Sequence, residues 1–115
     1  MLSGHAHLYQ RFSRSVAGLG RTIPYVVSGS GGFSLAKAQA GVKAGTKVGD
    51  FTLVTAPKID FGYLTLVVDM TGAVGTLTIS YRSVSQANVR DSITVKLTPA
   101  ATAPPTAKSR ILMRR

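Results

Sequence analysis

His5 and His7 are the only histidines among 115 residues, and a single alanine separates them. On a β-strand, residues i and i+2 point the same way with a rise of about 3.3 Å per residue, so two such imidazoles leave one face with their roots roughly 6 to 7 Å apart. That span suits one shared metal ion, or two ions about 3.5 to 4 Å apart with one imidazole on each. As a free-standing site the pair is short of ligands, because a catalytic zinc takes three protein ligands. Cysteine is absent, which removes thiolate ligands, cysteine nucleophiles and disulfides together. The acids are four aspartates (Asp50, Asp60, Asp69, Asp91) with no glutamate, a thin supply for hard metal ions or general acid–base pairs.

Lys and Arg total 14, for a net charge of +10. Such a balance favours anionic partners: nucleic acid, acidic lipid or a phosphate-bearing substrate. No segment reaches the roughly 18 to 20 apolar residues needed to cross a bilayer, and the first residues lack the apolar run of a signal peptide. No membrane partner is expected, and no cellular address is readable.

The elements that must position the histidines read as strands. LSGHAHLYQRF (2–12) has aromatic content and partial alternation, and SRSVAGLGR (13–21) is a connection. TIPYVVSG (22–29) is a β-branched and aromatic run closed by glycine. Residues 28–50 are loop-like, and SLAKAQA within them could form a helical turn that Gly41 and Gly45 would limit. FTLVT (51–55), FGYLTLVVDM (61–70), GTLTISYRS (75–83) and DSITVKLT (91–98) are strand-like. In the third of these, Leu77, Ile79 and Tyr81 alternate with Thr76, Thr78 and Ser80, the period-two pattern of a sheet with one buried face. The nearly continuous apolar run of 61–70 predicts burial on both faces. Turn-sized connections predict an antiparallel meander for the last three strands. From Pro99 the composition turns to Pro, Ala, Thr and basic residues, which predicts a disordered tail over 99–115. Five or six strands without helices must bury a face against something: within a small sandwich, against a second copy, or against another part of a larger protein.

A glycine cluster, SGSGGF (28–33), follows the 22–29 strand. It is not a P-loop, since no Gly-Lys-Ser/Thr follows at the right spacing, nor a dinucleotide fingerprint, since Ser34 stands where the third glycine would be needed. Gly29, Gly31 and Gly32 would permit a sharp turn with positive φ; direct contact of this loop with phosphate is the other reading. Lys37, Lys43, Lys47 and Lys58 flank it, either as a solvated surface or as an attraction for an anionic substrate.

SGHAHLYQRF resembles the last metal-binding motif of the metallophosphoesterase superfamily, the calcineurin-like and purple-acid-phosphatase-like enzymes, on Gly4, His5, His7, Tyr9 and Arg11. IPYVVSGSGG (23–32) is similar to that family's next strand and glycine loop, and residues 61–97 to its closing meander. The resemblance spans roughly residues 2–98 and implies the C-terminal β-portion of a β-sandwich hydrolase of phosphate esters. It implies two metal ions, of zinc, iron or manganese, with His5 on one and His7 on the other. Gly4, Tyr9, Arg11, Gly29, Gly31 and Gly32 would lie behind or beside the ligands. The family's Asp-x-His, Gly-Asp-x-x-Asp and Gly-Asn-His motifs and its further isolated histidine are absent from this sequence. The chain alone is therefore expected to be inactive, with a missing N-terminal portion supplying the remaining ligands. Two readings stay open beside it: a small basic β-module for nucleic acid or another polyanion, and a structural β-protein that dimerises.

Overall fold

A computed structural model describes residues 1–97 except Leu19 and Ala87. The expected disordered tail, 99–115, lies outside the described residues. The described chain is mainly β and contains no helix. Its strands are β1 (Leu2–Ser3), β2 (Tyr9–Ser15), β3 (Thr22–Ser28), β4 (Lys47–Val48), β5 (Phe51–Lys58), β6 (Gly62–Asp69), β7 (Gly75–Ser83) and β8 (Val89–Leu97). They form a five-stranded sheet in the order β1-β3-β2-β5-β4 and a three-stranded sheet in the order β6-β7-β8. The helical turn considered for SLAKAQA does not form.

The meander is antiparallel as its turns predict, with Leu66 opposite Ile79 and Ile79 opposite Ile93. Its register puts Leu64, Leu66 and Val68, then Tyr81, Ile79 and Leu77, then Asp91, Ile93 and Val95 on one face. The opposite face carries hydroxyl pairs, Thr78 with Thr94 and Ser80 with Ser92, each at 3.0 Å. Burial on both faces, expected for 61–70, is overturned. β6 is one of the two edge strands of its sheet, and Leu66, Val67 and Val68 are 50%, 60% and 59% exposed. An apolar run shows what a strand can bury; its place in the sheet decides what it does bury.

The single strand expected over residues 2–12 is two strands with an arch between them. β1 pairs in parallel with one side of β3, and β2 pairs antiparallel with the other. Residues 4–8 must therefore cross over the end of β3, and the chain bends there, with the Leu8 amide donating to the Ala6 carbonyl at 2.8 Å. The strand-like alternation belongs to β2 alone. Its inner side chains, Tyr9, Arg11 and Ser13, face the meander, while Phe12 and Arg14 face outward beside Leu53 and Phe51. Two register shifts in the β2–β5 ladder accommodate the extra residues of β5 around Val54 and Pro57. Proline, which cannot donate to a ladder, falls at one of these irregular positions.

The two sheets meet at a small buried cluster of Tyr9, Val26 and Tyr81, with Leu64 packed against it. The Tyr9 and Tyr81 rings stack with centroids 4.1 Å apart and planes 8° from parallel. Aromatic pairing of this kind contributes about 1 kcal/mol beyond the area it buries. Beside it, Asp91 interrupts the apolar face of β8. Arg11 reaches it through Nε at 2.8 Å and Nη2 at 3.0 Å, Tyr9 donates its hydroxyl at 2.7 Å, and Thr55 donates at 2.8 Å. The ion pair is largely shielded, its side chains 13% and 11% exposed. Burial alone would push the Asp91 carboxyl up, but the bonds from Arg11, Tyr9 and Thr55 outweigh it and hold the pKa below the usual carboxylate value. Burial, then the bond to Asp91, pushes the Tyr9 phenol up.

Candidate metal-ligand arch and glycine loop

β1 and β3 run in parallel, so their carboxyl ends open on the same side of the sheet. From the first emerges the arch Gly4–Leu8, and from the second the glycine loop. The arch lies directly on the loop. A Cβ on Gly29 would overlap the carbonyl oxygens of Ala6 and Gly4 and stand 2.7 Å from the Ala6 carbonyl carbon. Glycine is required here by the closeness of two backbones, since Gly29 does not have a positive φ. The expected turn with positive φ at Gly29, Gly31 and Gly32 is thus corrected to one position, Gly32, with φ of 136°.

Hydrogen bonds fasten the two segments together. The Gly29 amide donates to the Leu8 carbonyl at 3.1 Å, and the Ala36 amide to the His7 carbonyl at 2.8 Å. His7 Nδ1 lies 2.9 Å from Ser34 Oγ, and the ring meets Phe33 edge-on at 6.1 Å between centroids. The loop is also held from the meander. Ser30 is fully buried, its hydroxyl 3.3 Å from that of Tyr81, and its carbonyl accepts from the Gly62 amide at 3.1 Å. The Tyr81 hydroxyl donates to the Asp60 carbonyl at 2.8 Å. Nothing in the sequence pattern marks Ser30, Ser34 or Tyr81 as partners of the motif, because each contact spans a long stretch of chain. Only the alternation that places Tyr81 on the buried face of β7 was readable.

His5 is exposed and His7 partly covered. They do not share one face of a strand, as the i, i+2 argument expected, because the arch that carries them is not a strand. An open cleft of about 430 Å³ borders the same segments, lined by Ser3, Gly4, Ser28 and Gly31 on one side and by Gly62 to Leu64 on the other. Gly4 and Gly31 thus lie at the cleft, while Gly29 and Gly32 shape the loop behind it. Tyr9 and Arg11 turn away from the arch into the inter-sheet junction, where both end on Asp91. Phe33 stands 92% exposed beside His7.

The donor set can be tested against a pair of metal ions. Two imidazoles are the right type, and with Nδ1 of His7 at Ser34, its Nε2 is left as the donor atom. Carboxylates are missing from the arch. Asp91 is tied to Arg11, and Asp50 to Arg14 at 2.6 Å. Asp60 accepts from Ser83 and Ser85, and Asp69 from Thr71. Among the described residues no group of three or more histidine or acidic side chains gathers to hold a metal. The arch thus offers two imidazoles, one fewer than the three protein ligands of a catalytic zinc. Comparison with protein-family models, with curated proteins and with solved structures returns no match.

Proposed function

We propose that this chain contributes the His5 and His7 ligands of a binuclear-metal phosphoesterase, with the bridging carboxylate and remaining ligands supplied by another segment of polypeptide. One observation carries the reading. The Gly-His-x-His arch and the glycine loop, 24 residues apart from Gly4 to Ser28, emerge side by side at the carboxyl ends of two parallel strands. That juxtaposition packs together the two segments on which the resemblance rests.

When bound, the two ions would supply an activated water and a positive clamp for the charge developing on the phosphoryl oxygens. His5 would donate to one and His7 to the other, and imidazole donors suit zinc, iron or manganese. The chain's own part would be positional: the arch carries the two donors, Gly29 lets the arch cross, and open space lies beside Gly31. Lys37 and Lys43, exposed on the segment that follows the loop, add attraction for an anionic ester.

The test is to read the coding DNA in frame ahead of the Met1 codon and express the longer polypeptide. The reading expects Asp-x-His and Gly-Asp-x-x-Asp motifs there, and metal-dependent hydrolysis of an aryl phosphate abolished by His5→Ala or His7→Ala. Hydrolysis of the same ester by the purified 115-residue chain would contradict it. The net charge of +10 favours a second reading, polyanion binding. That reading expects affinity for single-stranded nucleic acid to fall steeply between 50 mM and 1 M salt, and unchanged binding would remove it.

A further inference from the structure

We propose that β6 is a self-association edge: a second copy of this chain adds its own β6 antiparallel, joining the two meanders into one six-stranded sheet. The pairing is independent of the metal reading. A sheet edge exposes amides and carbonyls, and chains guard against joining there with short strands, charges or bulges. Three of the four sheet edges among the described residues are guarded in this way. β1 and β4 are two residues long, and β4 carries Lys47. β8 carries Arg90 and Lys96, and the register shift at its start leaves Arg90 outside the ladder. β6 runs for eight residues with no charge before Asp69, no proline and no register shift. Tyr63, Leu66, Val67 and Val68 on it are each half exposed or more.

The backbone fixes the register. In an antiparallel ladder both polar groups of a residue point to one side, and successive residues alternate. The Phe61 carbonyl accepts from the Val84 amide at 2.8 Å, whereas the Gly62 amide donates to the Ser30 carbonyl at 3.1 Å, away from β7. Along the uninterrupted ladder that follows, Leu64, Leu66 and Val68 therefore turn their amides and carbonyls to the free side. A two-fold axis through Leu66 pairs that residue with its own copy and Leu64 with Val68, so all three are used in both chains. Centred one residue earlier, Val68 would need Gly62, whose amide Ser30 already holds. Centred one residue later, Leu64 would need Met70, beyond the end of β6. The chosen register also sets Asp69, the one charge on the strand, opposite Tyr63 rather than opposite itself. The apolar face of Leu64, Leu66 and Val68 continues unbroken from one copy into the next.

Sedimentation equilibrium of the purified 115-residue chain tests this, in about 0.5 M salt to screen the net charge of +10. With rising concentration the apparent mass should climb from 12.1 kDa toward twice that value. Leu66→Lys, which sets two ammonium groups face to face, should weaken association at least about tenfold while the far-ultraviolet spectrum stays that of the parent. The chain has no cysteine, so single cysteines read the register. Leu66→Cys should form a disulfide-linked dimer under mild oxidant, since hydrogen-bonded partners lie about 5.5 Å apart between Cα atoms, within disulfide reach. Val68→Cys should not, because its copy lies about 13 Å away along the strand. A mass that stays at 12.1 kDa at every concentration, or association unchanged in Leu66→Lys, would overturn the β6 edge. Equal crosslinking at the two positions would overturn the register.

Discussion

Two places along the start of β2 are built on opposite principles. At Tyr9 and Arg11 the chain feeds a shielded junction in which one carboxylate, Asp91 of the three-stranded sheet, collects the Arg11 guanidinium, a phenol and a hydroxyl from two strands of the five-stranded sheet. At His5 and His7, a few residues earlier, the side chains sit on an open arch held by backbone bonds and one neutral contact to Ser34. The junction satisfies its charges completely and leaves nothing to bind with. The arch fixes its backbone and leaves ring nitrogens available. Motif neighbours that look like one functional group in the sequence thus divide between a shielded junction and an open arch.

Breaking the junction should have the largest effect. Asp91→Ala strands the Arg11 charge at a site only about a tenth exposed. We expect a loss of about 3 kcal/mol in urea unfolding, the lower end of the cost of removing one partner from a buried pair. The double change Arg11→Met with Asp91→Leu should recover most of it. If Asp91→Ala cost under about 0.5 kcal/mol, the junction would be no more than a surface ion pair.

Gly29→Ala should come next, at about 2 kcal/mol, because the added methyl meets backbone carbonyls that cannot swing aside. Its distinguishing mark is local. Amide exchange should quicken at Leu8 and Ala36 on the arch and loop, with protection retained in β7. Uniform loss of protection would show instead that the arch is part of the global folding unit.

Acid titration separates the two regions more gently. The folded Asp91 pKa lies below its unfolded value near 3.9. Its contribution is therefore complete above that range and is lost as pH falls from about 5 through the folded value. The Asp91→Ala chain should show a correspondingly shallower loss of stability in acid, the other aspartates accounting for what remains. Tyr9 runs the other way. Its raised pKa contributes stability present below about pH 10 and lost as pH rises through the folded value. Parallel acid curves for the two chains would contradict the assignment of Asp91.

Much of this architecture was legible. Period-two alternation found β7 and its buried face, glycine closed β3, and turn spacing gave the meander. The arch was not legible, because its cause is a crossing over β3 that only the pairing of β1 reveals. The exposure of β6 was hidden for a similar reason: Leu66 and Val68 look like core residues until the strand is seen at an edge. Asp91 reads as a strand-start polar residue, and its three partners come from 36 to 82 positions away. For the candidate site, the two histidines and the glycine loop could be picked out from residue type and spacing, whereas Ser34 could not.

The central claim is that His5 and His7 are donors of an incomplete metal centre. Calorimetric titration of the purified chain with zinc tests it most directly. The prediction is weak binding that disappears in His5→Ala and in His7→Ala, while the urea midpoint of both variants stays near that of the parent. Tight stoichiometric binding that survives both substitutions would contradict it.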